Sequence, residues 1–338
     1  MKDELILAIE SSCDETAAAI IRNGKEIVSN VVATQIDVHK EFGGVIPEVA
    51  SRIHVENISM VIEETLKKAN MDVSDVDAIA FTQGPGLIGS LHIGVQAAKT
   101  LAWAYNKPLV PVHHIAGHIY ANKLVADLKF PLMALVVSGG HSELVYMKDE
   151  WSFEILGTTQ DDAVGEAGDK VGRVLGLPYP GGVYVDKLAK EGKPLYTLAS
   201  PKTEGELDFS FSGLKSSVLQ FIARCERKNE SFSQADLAAS YQECAFNALL
   251  LRARKALKQY PVHQFVLAGG VAANSCLRDK INNEMVKEFP QVEFIIPPLS
   301  CCTDNAAMIG VAGSVAYRHG VRADFNAGAN PGMDLEEQ

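Results

Sequence analysis

Long apolar runs are absent from this sequence. No stretch approaches the length of about 18 residues that a transmembrane helix needs. The segment from Met1 to Glu4 contains acids where a secretory signal would carry only positive charge. The six cysteines form no CxxC pair and lack the spacing of a small disulfide-bonded domain. These absences predict a cytoplasmic protein with reduced thiols and no membrane segment.

An excess of basic residues is absent as well. The chain has 31 Lys and Arg against 42 Asp and Glu, a formal net charge of −11. A protein that binds a polyanion by itself usually has a basic excess or a basic stripe. If nucleic acid is a substrate, local patches or additional subunits must therefore hold it. The length of 338 residues and a hydrophobic content of 47% suffice for two domains, each with its own core.

A histidine pair follows a short apolar strand between Pro108 and Tyr120. His114 and His118 are four residues apart, so on a helix both imidazoles would lie on one face and could bind one metal ion. Asp304, where an apolar stretch turns into a helix, is the best candidate for a third ligand. The alternatives are a coincidental pair and an Asp304 that only caps its helix. Ile115 replaces the glutamate of an HExxH protease, which argues against peptide hydrolysis.

A strand–turn–strand pattern occurs twice. The apolar strand at residues 5–10 leads through a polar turn into a second strand, and residues 132–137 lead through Ser138 to Ser142 into residues 143–147. Such a repeat is typical of the actin, sugar kinase and heat-shock chaperone class, in which two like domains face a nucleotide cleft. It predicts an α/β fold with residues 1–112 as the first domain and 113–338 as the second. The histidine helix would be inserted in the second domain, and the last helix could pack back on the first.

Glycine-rich turns follow several predicted strands. The turn from Gln83 to Leu91 could present backbone N–H groups to an anion, but it is not a Walker loop because no Gly-Lys-Ser/Thr follows. Gly139 and Gly140 would let the backbone approach a nucleotide, although a plain hairpin turn is the alternative. A Gly-Gly turn after residues 264–268 places Asn274 where it could bond an adenosine, or where it is an ordinary early-helix residue.

Nine segments, in order along nearly the whole chain, together resemble the bacterial TsaD family, the catalytic subunit of tRNA threonylcarbamoyladenosine synthesis. They are AIESSCDETA (8–17), GGVIPEVASRIHVEN (43–57), QGPGLIGSL (83–91), HHIAGH (113–118), VSGGHSEL (137–144), DKVGRVLGLPYPGG (169–182), FSFSGLKS (209–216), AGGVAAN (268–274) and CTDNAAMI (302–309). The resemblance implies the actin-like ATPase fold in two duplicated domains. One departure is Gly168, where many members have Phe, which leaves the local packing open.

The resemblance also implies a set of site residues. The metal ligands would be His114, His118 and Asp304, holding one Fe(2+) per subunit, with Zn(2+) as the alternative that the same ligands allow. The nucleotide and substrate contacts would be Val137, Ser138, Gly139, Gly140, His141, Asp169, Gly182, Asp186 and Asn274, with Asp186 carrying less weight. No catalytic residue is assigned. His141, Glu15 and the phosphate of the substrate are the candidates for the proton acceptor.

The implied reaction moves the threonylcarbamoyl group from threonylcarbamoyl-AMP to N6 of adenosine 37 in tRNAs that read ANN codons, with release of AMP. The implied partners are tRNA, threonylcarbamoyl-AMP or ATP, a TsaB-like paralogue and a TsaE-like ATPase. Two other functions stay open on the sequence alone. A kinase-like ATP-binding enzyme of the same fold would need a catalytic aspartate and no histidine pair, and a non-catalytic scaffold paralogue would lack the metal ligands.

Overall fold

The computed structural model describes residues 3–199 and 203–337. Its strands are β1 (Leu5–Glu10), β2 (Glu15–Arg22), β3 (Glu26–Thr34), β4 (Ala78–Gly84), β5 (Leu109–His113), β6 (Leu132–Val137), β7 (Ser142–Met147), β8 (Glu154–Thr158), β9 (Gln264–Ala268) and β10 (Glu293–Ile295). Its α-helices are α1 (Ile36–Phe42), α2 (Pro47–Ala69), α3 (Ile88–Tyr105), α4 (His114–Tyr120), α5 (Val164–Val174), α6 (Gly181–Ala189), α7 (Ser212–Lys228), α8 (Gln234–Gln259), α9 (Ser275–Lys280), α10 (Val286–Glu288) and α11 (Ala306–Arg318). A π-helical segment, Ile281–Met285, joins α9 to α10.

The chain forms two compact units. The first unit consists of residues 1–128 and 300–338, and the second consists of residues 129–299. This division differs from the predicted one at residue 112, because α4 and α11 pack on strands of the first unit. Among the helices of residues 3–199 and 203–337, none is both long and apolar enough to cross a membrane.

The first unit is built on a five-stranded sheet in the order β3-β2-β1-β4-β5. β1 pairs with β2 antiparallel and with β4 parallel. From Ile6 to Ile9 the side chains of β1 are fully buried, as expected for a strand with helices on both faces. On one face α2 and α3 contribute Ile58, Val61 and Val95 to the core.

Helix α11 covers the other face of this sheet at very short distance. A Cβ on Gly310 would lie 2.4 Å from Ile21 Cγ1, and one on Gly313 would lie 2.5 Å from the Cβ of Ala80. Glycine at these two positions therefore lets the helix backbone approach the strands. Asp304 lies just before the N-cap of this helix, so the packing of α11 also helps to fix its position.

The second unit repeats the topology of the first. Its sheet has the order β10-β9-β6-β7-β8, in which β6 pairs with β7 antiparallel and with β9 parallel. The predicted strand–turn–strand repeat is confirmed, since β1–β2–β3 and β6–β7–β8 are both antiparallel meanders followed by parallel crossovers. All six residues of β6 are buried, so this strand forms the centre of the second core.

Candidate functional site

The short helix α4 holds the histidine pair. His113 ends β5 and caps the helix, because its Nδ1 accepts a hydrogen bond from the backbone N–H of Ile115 at 3.1 Å. His114 is therefore the first helical residue, and His118 lies one turn later. Their ring centroids are 4.7 Å apart, with the ring planes at 84°. Both histidines are buried.

Asp304 approaches this pair from the turn before α11. The N-cap of α11 is Asn305, whose Oδ1 accepts from the N–H of Met308 at 3.1 Å, so the alternative of Asp304 as the cap does not hold. Oδ1 of Asp304 lies 3.1 Å from Nε2 of His118 and 3.7 Å from Nε2 of His114. One donor atom from each of the three residues lies within 4.8 Å of the others. The structure thus brings the three predicted ligands together.

The burial and hydrogen bonding of His118 fit a cation bound between the three side chains. The residue is 1% exposed, and neither ring nitrogen makes a hydrogen bond among the described residues, although Nε2 lies 3.1 Å from the carboxylate of Asp304. A buried polar atom without a partner is costly, and a bound cation would supply one. Two imidazoles and one carboxylate are donors that suit Fe(2+) or Zn(2+). The three side chains therefore fit a transition-metal ion.

Glu10, at the buried end of β1, orients His114. Its Oε2 lies 3.2 Å from Nδ1 of His114, and the hydroxyl of Ser12 lies 3.2 Å from the same nitrogen. The carboxylate also accepts from the N–H of Ser12 and from the hydroxyl of Thr82, both at 2.5 Å. A carboxylate behind a metal-binding histidine fixes the tautomer and leaves the other ring nitrogen for the ion. Here that nitrogen is Nε2, which faces Asp304.

The buried charges shift the titration of these groups. Burial would lower the pKa of His114, but the negative charges of Asp304 and Glu10 raise it to about 9. Burial would raise the pKa of Glu10, but His114 beside it lowers that pKa below its ordinary value. The imidazole and the carboxylate therefore stabilise each other's charged forms in the metal-free protein.

The hairpin turn after β1 brings further acids toward Asp304. Burial, together with the charges of Asp14 and Asp304, raises the pKa of Glu15 to about 10. In the metal-free protein Glu15 therefore keeps its proton at neutral pH and is poorly suited to accept another. A cation nearby would favour its ionised form.

Sequence reasoning missed Glu10 and Ser12 as partners of His114. The available signal was an acid that ends the otherwise apolar strand LILAIE, since a buried carboxylate needs a partner. The strand pattern could not identify that partner, which lies 104 residues away along the chain.

In the second unit, the predicted phosphate loop is a tight turn between β6 and β7. The N–H of Ser138 donates to the carbonyl of His141 at 2.8 Å, and the Ser138 hydroxyl accepts from the N–H of His141 at 3.0 Å. Gly139 and Gly140 form its exposed tip, and no atom lies within 4 Å of the place that a Cβ would take on either. Val137 is buried at the end of β6. Gly139 and Gly140 thus present open backbone at the tip of a turn that Ser138 and His141 close.

Asp169 and Gly182 contact each other. The N–H of Gly182 donates to Oδ1 of Asp169 at 2.9 Å, so the carboxylate holds the first turn of α6. Burial raises the pKa of Asp169, and the backbone N–H groups of Gly182 and Gly181 partly oppose that shift. Part of the hydrogen-bonding capacity of both predicted residues is therefore used within the protein.

Asp186 lies in a cavity between α6, α8 and α9. Its carboxylate accepts from the hydroxyl of Ser275 at 2.8 Å and from Nε2 of Gln242 at 3.2 Å. The three residues line a cavity of about 340 Å³. Asn274 precedes Ser275 and caps α9, because its Oδ1 accepts from the N–H of Leu277 at 3.2 Å. The cavity has the polar groups that a nucleoside-sized ligand needs.

Comparison with solved structures identifies the fold. The full-length HypF structure in its phosphate- and nucleotide-bound form matches 95% of this chain and 47% of its own, with a TM-score of 0.62 at 15% identity. Component A of the (R)-2-hydroxyglutaryl-CoA dehydratase of Acidaminococcus fermentans matches 94% of this chain and 97% of its own, with a TM-score of 0.53 at 15% identity. These similarities and the repeated sheet confirm the predicted actin-like ATPase fold.

Comparison with sequences identifies the family. The family model described as "TsaD: tRNA N6-adenosine threonylcarbamoyltransferase" matches residues 26–311. The tRNA N6-adenosine threonylcarbamoyltransferase of Anoxybacillus flavithermus is 57% identical over 337 residues, which cover 99% of this chain and 98% of that one. The protein of the same name from Listeria monocytogenes is 56% identical with the same coverage. The predicted resemblance is therefore confirmed, and the chain belongs to the TsaD family of tRNA N6-adenosine threonylcarbamoyltransferases.

Proposed function

We propose that this protein transfers the threonylcarbamoyl group from threonylcarbamoyl-AMP to N6 of adenosine 37 in tRNAs that read ANN codons. AMP is the second product. Membership in the family supports the reaction class, since its description names tRNA N6-adenosine and the threonylcarbamoyl group. The observation that carries the proposal for this chain is the convergence of His114, His118 and Asp304, backed by Glu10.

The proposed metal centre holds one Fe(2+), with Zn(2+) as the alternative. When bound, such an ion supplies a Lewis acid that can polarise an oxygen of the donor substrate. His114 and His118 on α4 and Asp304 before α11 would hold it. Glu10 keeps Nδ1 of His114 protonated, so that only Nε2 serves as a ligand.

The proposed nucleotide site lies in the second unit. The open backbone of Gly139 and Gly140 accommodates the phosphate of the adenylate, with Val137, Ser138 and His141 supporting the turn. Asp186 and the cavity that it lines take the adenosine, since an acid paired with hydroxyl and amide donors suits ribose hydroxyls. Asp169, Gly182 and Asn274 hold the starts of α6 and α9 beside this site.

In the transfer step, N6 of the adenosine attacks the carbamoyl carbon. The bond between N6 and that carbon forms, and the bond from the carbon to the phosphate oxygen breaks, so that AMP leaves with the electron pair. One proton must leave the amine. His141, the departing phosphate and Glu15 are the candidates to take it, and Glu15 could do so only where a nearby cation favours its ionised form.

Partner proteins complete the proposed system in the cytoplasm. The formal net charge of −11 disfavours strong binding of tRNA by this chain alone. A TsaB-like paralogue and a TsaE-like ATPase would supply the missing surface and the ATP-dependent step. Threonylcarbamoyl-AMP itself must come from an enzyme that activates threonine and bicarbonate with ATP.

Reconstitution tests the proposal. The purified chain is combined with its partner proteins, the adenylate-forming enzyme, unmodified tRNA, threonine, bicarbonate and ATP, and the tRNA nucleosides are analysed by mass spectrometry. We expect threonylcarbamoyladenosine with the wild-type chain and none with His118→Ala. An exposed substitution, Trp103→Ala, is the matched control that should keep the activity. Unmodified adenosine in the complete wild-type reaction would exclude the function.

A further inference from the structure

After α11 the chain runs back across the first unit, and residues 328–333 of this return lie beside the start of α4. We call these six residues the C-terminal strap. The approach to it is fixed at Ala323, whose N–H donates to the carbonyl of Leu109 at 3.0 Å. Beyond it Leu335 is 2% exposed. The strap is thus anchored on both sides.

The strap bonds to the glycine-rich turn that follows β4. The N–H of Asn330 donates to the carbonyl of Gln83 at 2.8 Å, and Nε2 of Gln83 donates to the carbonyl of Gly328 at 3.0 Å. The N–H of Gly86 donates to the carbonyl of Pro331 at 3.3 Å. Three hydrogen bonds therefore hold the strap along this turn.

Contact between the strap and Gly84 is too close for any side chain. A Cβ on Gly84 would lie 1.7 Å from the carbonyl oxygen of Asn330, so either the strap or β4 would have to move. A Cβ on Gly332, within the strap, would have no atom within 4 Å. A methyl group added at these two glycines would thus have very different consequences.

One hydrogen-bonded route leads from the strap to the metal ligands through His113. Nε2 of His113 donates to the carbonyl of Met333 at 3.0 Å, while Nδ1 accepts from the N–H of Ile115. Both ring nitrogens are used, which fixes one tautomer and one ring orientation. His113 is covalently joined to His114, so the strap fixes the residue that begins the ligand-bearing helix.

A second route passes through the turn after β4. The N–H of Leu87 donates to the carbonyl of Ser12 at 2.8 Å, and a Cβ on Gly86 would lie 2.6 Å from that oxygen. The hydroxyl of Ser12 in turn contacts Nδ1 of His114 at 3.2 Å. Both routes therefore end at the same imidazole.

We propose that the C-terminal strap is a positioning segment for the metal centre and sets its affinity for the ion. The inference rests on the proposed role of His114 as a ligand. Partners that orient a ligand typically change metal affinity by about 10–100-fold. The strap acts on His114 only through the two routes described above. We therefore expect its displacement to weaken metal binding by about tenfold, at the lower end of that range.

Metal binding by the purified full-length chain, without tRNA or nucleotide, tests this. We expect Gly84→Ala to raise the dissociation constant for Zn(2+) about tenfold, measured by competition with a chromophoric chelator, and Gly332→Ala to leave it within about twofold. His113→Asn is a second variant that keeps a capping oxygen for α4 but loses the bond to Met333, and it should weaken binding similarly.

Thermal unfolding of the metal-free variants separates positioning from general stabilisation. If Gly84→Ala and His113→Asn unfold cooperatively and bind Zn(2+) as the wild type does, the strap is only structural and the proposal is wrong. Failure of Gly84→Ala to fold leaves His113→Asn to decide. A wild-type chain that binds no Zn(2+) also overturns the proposal, whereas the reconstituted transfer reaction reports on the proposed function independently.

Discussion

The two units have the same sheet topology but use the first hairpin turn in opposite ways. In the first unit the turn between β1 and β2 is buried, with Ser11 at 1% and Ser12 at 2% exposure. In the second unit the turn between β6 and β7 ends in the exposed Gly139 and Gly140. One turn is packed with side chains that carry chemistry, and the other offers bare backbone.

The packing around the first turn explains the contrast. His54 donates from Nε2 to the carbonyl of Cys13 at 2.9 Å and contacts the hydroxyl of Thr16 through Nδ1 at 2.7 Å. In the second unit the turn is closed mainly by its own Ser138 and His141. The duplicated turn has thus become a rigid support for a buried ligand set in one copy and an open loop in the other. The predictions below test this division.

Loss of a ligand should have the largest effect. His118→Ala removes one of the three proposed ligands. Loss of a residue that only orients a ligand weakens metal binding by up to about 100-fold, so we expect the Zn(2+) affinity of this variant to fall further than that. Transfer activity should fall below detection. Neither ring nitrogen of His118 makes a hydrogen bond among the described residues, so the metal-free variant should lose stability mainly through the cavity that it leaves and the contact of Nε2 with Asp304. Nearly unchanged metal affinity would place the ion elsewhere.

Removal of the charge behind the ligand should have the next largest effect. Glu10→Gln keeps the shape of the side chain but no longer supplies a carboxylate for Nδ1 of His114, and we expect metal affinity to fall about 10–100-fold. Glu63→Gln, which changes an exposed acid on α2, is the control. A comparably large loss there would contradict the assignment of Glu10.

Sequence reasoning predicted the repeat because apolar strands and polar turns are local signals. It did not predict the bounds of the units, since α4 and α11 join the first sheet through contacts between distant parts of the chain. The close packing at Gly310 is an example, because its neighbour Ile21 lies in the second strand.

Within the candidate site, helical spacing placed His114 and His118 together, and the apolar stretch that turns into a helix made Asp304 the candidate third ligand. The family resemblance implied the same three residues. Glu10 was missed because its partnership with His114 exists only after the sheet has formed. Asn274 was predicted to contact the adenosine, and the structure gives its Oδ1 a local role as the cap of α9. Whether it also contacts a ligand stays a prediction.

Adding a methyl group next to each turn should have a smaller effect, and a different one in each unit. Gly139→Ala meets no atom, so we expect unchanged stability but about tenfold weaker nucleotide binding by calorimetry, since the added group blocks close approach to the phosphate. In Gly94→Ala the added Cβ would lie 2.4 Å from Oγ of Ser11 beneath the first turn, and stability should fall by about 1–3 kcal/mol. Wild-type nucleotide affinity in Gly139→Ala would remove the loop from the proposed site.

The smallest effect is the pH dependence that the first unit adds to stability. The pKa of His114 is raised from 6.5 to about 9 in the folded metal-free protein, so its contribution is fully present below pH 6.5 and is lost as the pH rises through 9. A single group changes the free energy of unfolding by at most about 1.4 kcal/mol per pH unit. Between about pH 7 and pH 8 we expect His114 to account for a loss of about 1 kcal/mol, seen as a lower Tm of about 1–2 °C. In His114→Gln this share of the loss should vanish, while the share from Glu15, whose raised pKa acts in the same direction, should remain. Saturating Zn(2+) should suppress the His114 share in the wild type because the bound imidazole is already neutral. If His114→Gln lost as much stability between pH 7 and pH 8 as the wild type, the pH dependence would belong to other groups. His114 would then give no difference between the two units in the pH dependence of stability.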